Sequence, residues 1–166
     1  RDGMLLEFAP TILSIVLAGV VGSKIASELG NMRISEQIDA LEIMGINTKN
    51  YLILPKILGA FTMVPILVGI SAVVGIWGGY LIGNYTGYVP AEIFLTGIRQ
   101  GVVIHYMVIA LYKSFIFSFI ISTVPCYFGY NVKGGALEIG KAGTQSVVVS
   151  CILILIADYI VAAIAL

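Results

Sequence analysis

Three charged residues, Glu7, Lys113 and Asp158, stand within long apolar stretches of the sequence. A charge at the centre of a bilayer costs about 2.5–3.5 kcal/mol on insertion scales, so such residues pair with one another or line a polar path. At 1.5 Å per residue, Lys113 lies about 16 Å after the start of its stretch and Asp158 about 12 Å before the end of its own. If these two ends lie at the same face of the membrane, the two residues have similar depths. Either Lys113 and Asp158 form an ion pair that joins two helices, or one of the three residues lines a polar cavity that accepts a lipid headgroup.

The remaining residue types form no catalytic or metal-binding pattern. The chain has one histidine and two cysteines, and Cys126 and Cys151 show neither metal-binding nor redox spacing. The segment from Gly135 to Lys141 has the outline of a phosphate-binding loop, but Ala142 replaces the hydroxyl residue that would hold magnesium. The sequence therefore predicts a chain that is not an enzyme and binds neither a metal nor a cofactor itself.

The composition indicates what carries these charges. Of the 166 residues, 59% are hydrophobic and only 11% are charged, whereas a soluble domain has about 25% charged residues. Mean hydropathy is +1.03. The formal net charge is zero, which leaves no electrostatic footprint for nucleic-acid binding. The chain is therefore predicted to be an integral membrane protein.

Four stretches are long enough to cross a bilayer, which takes about 20 mainly apolar residues in a helix. Because lipid offers no hydrogen-bond partners to the backbone, each stretch should be helical. The sequence predicts an all-α membrane protein with one transmembrane domain over residues 1–166. The four predicted spans are residues 4–27, 56–83, 102–128 and 146–166, joined by connections at 28–55, 84–101 and 129–145.

Basic residues predict the orientation of these connections. Cytoplasmic loops carry an excess of lysine and arginine, and most of the basic residues lie in or beside the first and third connections. These six are Lys24, Arg33, Lys49, Lys56, Lys133 and Lys141. The opposite side would hold only Arg1 and Arg99. The first and third connections are therefore predicted to face the cytoplasm.

Small residues recur at helical spacing on two of the spans. Such residues let helix backbones approach closely in lipid. The contact could be packing inside one subunit, a subunit interface or a contact that moves. The two faces comprise Ala18, Gly22, Ala26 and Gly30 on the first span and Gly75, Gly79 and Gly83 on the second.

Residues 31–45, NMRISEQIDALEIMG, read as a short amphipathic helix between the first two spans. Asn31 can cap its start, and Gly45 is a suitable stop. One face would carry Ile34, Ile38, Leu41 and Met44, and the other Arg33, Glu36, Asp39 and Glu42. The helix could lie on the membrane interface, but an acidic face is repelled by anionic lipid. Docking to a basic protein surface is the favoured interpretation.

The segment resembles known sequences in two ways. Asp39-Ala40-Leu41, then Gly45 and Ile53-Leu54-Pro55, is similar to the loop by which importers of the ATP-binding cassette (ABC) class dock to their ATPase. The whole run AGVVGSKIASELGNMRISEQIDALEIMG strongly resembles the signature of MlaE-type permeases, the membrane subunits of ABC systems that move phospholipids across the Gram-negative envelope. Further matches follow in order at Leu54-Pro55, GIWGG from Gly75, Lys113-Ser114, Gly134-Gly135 and Gly140.

This resemblance implies a homodimeric permease of the bacterial inner membrane that moves phospholipids between the inner and outer membranes. ATP and magnesium would be bound by a separate ATPase, and a periplasmic lipid-binding MCE protein would be a further partner. The helix at 31–45 would be the coupling helix. Its implied contact residues, with one from the end of the first span, are Glu28, Arg33, Glu36, Gln37, Asp39 and Glu42.

Family members have an additional interfacial helix and one more span at the N-terminus, so the resemblance implies that this chain lacks both. An alternative class is an ATP-independent secondary transporter or channel. Such proteins usually contain inverted repeats with broken helices at mid-membrane, and no convincing repeat is visible in the sequence. A scaffold subunit that only anchors a complex is the third possibility.

Overall fold

A computed structural model describes residues 4–86 and 104–165. The described residues do not include Arg1, Arg99 and most of the middle connection. The predicted orientation rests in part on these residues and stays a prediction. The described residues form helices and short links between them, without a strand. Four of the helices are long and apolar enough to cross a membrane. The predicted all-α fold with four spans and one short helix is therefore confirmed.

The first span is a continuous helix in which wider π-helical segments alternate with α-helical ones. Pro10 lies in the first π-helical segment, where it has no backbone N–H to donate. The second span begins with a π-helical turn, and the third and fourth are α-helical. The segments are Met4–Ile12 (π), Leu13–Leu17 (α), Ala18–Gly22 (π) and Ser23–Ile34 (α), then the short helix Gln37–Ile43, then Lys49–Ile53 (π) with Leu54–Thr86 (α), Ile104–Tyr130 and Ala136–Ala165.

The spans extend beyond the apolar stretches that predicted them. The first span runs to Ile34 and the fourth begins at Ala136, so the predicted connections at 28–55 and 129–145 are too long. Helix ends here are set by the backbone instead of by hydropathy, because Glu36 adopts a φ of 58° and Gly134 a φ of 124°. The turn between the third and fourth spans therefore comprises only residues 131–135, and residues 136–141 are already helical.

The first and third spans form the centre of the bundle. Each packs against the other and against both remaining spans. In their most apolar windows 39% and 44% of the residues are buried, compared with 17% in the second span and 11% in the fourth. The second and fourth spans therefore lie on the outside and present most of their surface to the surroundings.

The small-residue face of the first span is buried inside this bundle. Ala18 and Ala26 are fully buried, and a Cβ added at Gly22 would lie 3.1 Å from the Pro125 side chain of the third span. A Cβ at Gly129 would lie only 2.6 Å from the carbonyl oxygen of Ala26. The two backbones therefore touch at this point, and packing within one subunit accounts for this face.

The glycine face of the second span is different. Gly79 is exposed, whereas Gly75 and Gly83 are half-buried. Within the described part of the chain this face is thus not enclosed as Gly22 and Gly30 are.

Serine side chains line the interior of the bundle where large apolar residues would be usual. Four of the buried hydroxyls donate to carbonyl oxygens of their own helix: those of Ser114, Ser118, Ser122 and Ser146. Local hydrogen bonds of this kind satisfy a small polar group in a dry environment and let neighbouring helices come close. The hydroxyls of Ser14 and Ser150 are buried without a partner among the described residues.

The short helix differs from the predicted helix at 31–45. It spans only Gln37–Ile43, because Asn31 belongs to the first span and accepts hydrogen bonds from the N–H and the hydroxyl of Ser35. The predicted stop is confirmed: Gly45 has a φ of 78°. The N–H groups of Gly45 and Ile46 donate to the carbonyls of Glu42 and Leu41, which is a Schellman motif.

The predicted apolar stripe of this helix is only partly covered. Ile38 is fully buried and anchors the helix, whereas Ile34 is 36% and Met44 66% exposed. Ile43, which was not assigned to the stripe, is 88% exposed. The break at Glu36 rotates the short helix relative to the first span, so one continuous stripe cannot form across the two.

Candidate functional site

Two groups of polar residues stand out, one inside the bundle and one at the end that carries the short helix. The first, the Lys113 cluster, consists of Glu7, Thr11, Lys113 and Asp158. Lys113 Nζ lies 2.9 Å from Glu7 Oε1 and 2.8 Å from Asp158 Oδ1. The hydroxyl of Thr11 donates to the same Asp158 oxygen at 3.0 Å. The proposed ion pair between Lys113 and Asp158 is therefore present, and Glu7 joins it.

The cluster holds three helices together near the end of the bundle opposite the short helix. Its members come from the first, third and fourth spans. The Lys113 side chain is 1% exposed and that of Asp158 is 15% exposed. A buried charge without partners would be very costly, so two carboxylates close to one ammonium account for a lysine at this depth.

Among the residues that the structure describes, the Lys113 cluster has one more carboxylate than ammonium groups. One ammonium faces two carboxylates, and the Glu7 side chain is 43% exposed. The surplus negative charge is thus at the accessible side of the cluster. Such a carboxylate can accept hydrogen bonds or an ammonium group, and no activated nucleophile accompanies it among the described residues.

The second group, the Tyr130 network, consists of Arg33, Asp39, Glu42, Thr48 and Tyr130. The Tyr130 hydroxyl donates to Glu42 Oε1 at 2.9 Å. The buried Thr48 hydroxyl lies 3.2 Å from that oxygen and 3.0 Å from the Tyr130 hydroxyl. The third span is therefore tied to the last turn of the short helix.

Arg33 completes the Tyr130 network from the other side. Its guanidinium carbon lies 5.6 Å from the centroid of the Tyr130 ring, within the range of a cation–π contact. Arg33 Nη1 also donates to Asp39 Oδ1 at 2.7 Å, in the first turn of the short helix. Both ends of that helix thus connect to Tyr130.

The six predicted coupling residues have different partners within the chain. Glu28 accepts a hydrogen bond from Lys56 of the second span at 2.7 Å. Arg33, Asp39 and Glu42 belong to the Tyr130 network. Glu36 and Gln37 are exposed at the start of the short helix, where the exposed Ile43 and Met44 follow at its other end.

Sequence reasoning missed several residues that the structure places at these sites. Thr48 and Tyr130 lie far apart in sequence, and neither belongs to a recognisable pattern. Thr11 stands one helical turn after Glu7, so its position on the same face of the first span could have indicated a shared site. Among the described residues, no group of three His, Cys, Asp or Glu side chains could hold a metal ion.

These features define a class: a multi-pass helical membrane protein with a buried ion cluster and a helix between its first two spans. Comparison with known proteins gives the family. The family described as Permease MlaE matches residues 1–164. The chain therefore belongs to the MlaE permease family.

Individual relatives agree with this assignment. A probable ABC transporter permease protein of Rickettsia bellii is 40% identical over 93% of this chain and 60% of its own length. One from Synechocystis is 35% identical over 92% of this chain and 58% of its own length. The chloroplastic protein trigalactosyldiacylglycerol 1 of Arabidopsis thaliana is 34% identical over 93% of this chain and 44% of its own length. The chain thus spans about 60% of the length of the bacterial relatives it matches.

Proposed function

We propose that this chain is the permease subunit of an ABC transporter that moves phospholipids between the inner and outer membranes of a bacterium. ATP hydrolysis takes place on a separate ATPase, which binds the short helix on the cytoplasmic side. A second copy of the chain and a periplasmic MCE protein complete the transporter. The observation that carries the proposal is the short helix between the first two spans. Its proposed ATPase partner is supported by the bacterial relatives, which are named probable ABC transporter permeases.

The surface of the short helix supports docking to a protein. Glu36 and Gln37 are exposed at one end, and Ile43 and Met44 are 88% and 66% exposed at the other. An acidic start and an apolar end suit a groove that is basic at one end and apolar at the other. The helix itself is held in place by the buried Ile38 and by the Tyr130 network.

The Lys113 cluster supports a lipid as the transported molecule. Its accessible carboxylate, Glu7, lies near the outer end of the bundle, where a headgroup with hydrogen-bond donors could reach it. The Arabidopsis relative is named after a diacylglycerol lipid. The half-exposed glycine face at Gly75, Gly79 and Gly83 is the proposed contact with the second copy.

Affinity purification of the tagged full-length protein in mild detergent tests the coupling. The variant Glu36→Lys with Ile43→Asp changes the exposed surface and leaves the Tyr130 network intact. Glu138→Lys repeats the charge reversal of Glu36→Lys on the fourth span, at the same end of the bundle, and serves as the control. We expect an ABC-type ATPase to accompany the wild type and the control but not the double variant.

Loss of the ATPase from both variants would mean that the short helix is not the docking surface. If no ATPase accompanies a well-folded wild type, the ABC assignment of this chain is wrong and an ATP-independent transporter is the better hypothesis. Mass spectrometry of the lipids that remain bound to the purified complex tests the substrate. A complex free of phospholipid, in a preparation where other membrane proteins retain it, would contradict the lipid proposal.

A further inference from the structure

We infer that Tyr130 transmits the position of the short helix to the third span, and that it acts as a positioning residue through Glu42 and Arg33. The inference rests on the coupling role proposed above for the short helix. It assigns Arg33, Asp39 and Glu42 to transmission within the permease, instead of to contact with the ATPase.

The covalent connections of the short helix lead only to the first and second spans. Ser35 and Glu36 join it to the first span, and residues 44–48 join it to the second. Its backbone packs against the end of the first span. Among the described residues, Tyr130 of the third span donates a hydrogen bond to Glu42 of the short helix, and Arg33, at the end of the first span, lies against the Tyr130 ring.

The third span is the element best placed to pass a displacement of the short helix on to the rest of the bundle. It packs against the three other spans and carries Lys113, which lies 17 residues before Tyr130, or about 25 Å along the helix. A displacement of the short helix that pulled on Tyr130 would act along the axis that leads to the Lys113 cluster. Pro125 interrupts the backbone hydrogen bonds between the two residues, but its side chain is packed at Gly22 of the first span. A packed helix is a suitable element for such a transfer, provided that both ends have defined contacts.

Two independent contacts converge on the one Tyr130 side chain. The hydroxyl donates to Glu42 in the last turn of the short helix. The ring contacts Arg33, which donates to Asp39 in the first turn. The Thr48 hydroxyl closes the arrangement from the start of the second span. A movement of the short helix in either sense therefore changes at least one contact of Tyr130.

The test uses the full-length permease with its ATPase in proteoliposomes, with a fluorescent phosphatidylglycerol as the transported probe. Tyr130→Phe removes the hydroxyl and keeps the ring over Arg33. Tyr127→Phe is the matched control, because Tyr127 lies one turn earlier, is 67% exposed and makes no side-chain hydrogen bond within the described residues. The measured quantities are the ATPase bound, the ATP hydrolysed and the lipid moved per ATP.

We expect Tyr130→Phe to keep the ATPase bound and active, while lipid moved per ATP falls at least about fivefold, the low end of usual coupling between sites. Tyr127→Phe should match the wild type. Thr48→Val should act in the same direction as Tyr130→Phe, and Thr48→Ser should restore coupling. This second pair of variants gives the same test if Tyr130→Phe lowers the yield of folded protein.

An unchanged ratio of lipid to ATP in Tyr130→Phe and Thr48→Val would overturn the inference and leave the proposed function standing. A parallel fall in both rates at constant ratio would also overturn it, because that pattern indicates a purely structural role. If the wild type binds no ATPase, the proposed function fails, and the inference fails with it.

Discussion

The Lys113 cluster and the Tyr130 network are built from similar groups in different surroundings. Each combines one basic side chain with two carboxylates and at least one hydroxyl. Lys113 is 1% exposed, whereas Arg33 is 33% and its partner Asp39 50% exposed. Electrostatic attraction strengthens as the local dielectric falls. The ion pairs of the buried Lys113 cluster should therefore be stronger than the more exposed contacts of the Tyr130 network.

The third span carries a member of each group, Lys113 and Tyr130, so its two ends are held with different strength. At the end opposite the short helix the span is fixed to the first and fourth spans by buried charges whose separation is costly. At the end that carries the short helix, contacts exposed to water can be broken and re-formed at small cost. Motion that begins at the short helix would thus reach a part of the bundle that moves as one body.

The largest effect is expected from Lys113→Met, which leaves two carboxylates close together inside the bundle. Breaking a buried ion pair by removing one partner costs about 3–5 kcal/mol, and we expect the free energy of unfolding to fall by that amount. The measurement is a denaturation curve in mixed micelles. Lys24→Met, which removes an exposed lysine of the first span, is the control and should change stability by less than about 0.5 kcal/mol.

A triple variant sharpens this prediction. Lys113→Met with Glu7→Gln and Asp158→Asn removes all three charges, and replacement of a whole ion pair by neutral groups is often close to neutral. Most of the lost stability should therefore return. If Lys113→Met alone costs no more than Lys24→Met, the Lys113 cluster does not hold the bundle together.

Gly129→Ala is expected to have the next largest effect, because it forces apart the two central spans. The added Cβ would lie 2.6 Å from the Ala26 carbonyl oxygen and 2.9 Å from the Leu29 Cβ, so the helices must separate. Overpacking of this kind costs about 1–3 kcal/mol, measured in the same micelles. Gly78→Ala, where a Cβ meets nothing within 4 Å, should be neutral or slightly stabilising. Equal effects of the two substitutions would show that the close approach is absent.

The comparison of Gly129 with Gly22 shows what the sequence could predict. Gly22 belongs to a face of small residues at regular spacing, so its buried position follows from the pattern. Gly129 stands among aromatic residues, and only the place where the third span crosses the first makes it necessary. Likewise, Lys113 and Asp158 were predictable as a pair because charges in apolar stretches need partners.

The short helix shows more clearly what the sequence alone cannot predict. Its existence and its stop at Gly45 follow from residue types, but its start depends on Glu36, a non-glycine residue with a φ of 58°. Propensity disfavours that conformation, so the sequence extends the helix back to Asn31. The network around Tyr130 joins residues up to 97 positions apart in the chain, from Arg33 to Tyr130, and needs the tertiary fold to be seen.

A smaller effect on stability is expected within the Tyr130 network. Tyr130→Phe and Glu42→Ala, made singly and together, form a double-mutant cycle across one hydrogen bond. Hydrogen bonds to charged groups contribute about 1.5–3 kcal/mol when well shielded, and this partly exposed one should show a coupling energy of roughly 1 kcal/mol. Strictly additive effects would mean that the hydroxyl and the carboxylate do not interact, and would remove the basis for transmission through Tyr130.

The smallest effect is expected from Glu28→Gln, and it separates two interpretations of the same residue. The resemblance to the MlaE family implies that Glu28 contacts the ATPase, whereas the structure pairs it with Lys56 at 2.7 Å, with side-chain exposures of 54% and 22%. An exposed pair of this kind contributes less than about 1 kcal/mol, so stability should hardly change. ATPase binding then decides, by comparison with Glu36→Gln at the exposed start of the short helix. Weaker binding in Glu36→Gln alone would place the docking surface on the short helix itself, whereas equal weakening in both would extend it to the end of the first span and make the contact with Lys56 incidental.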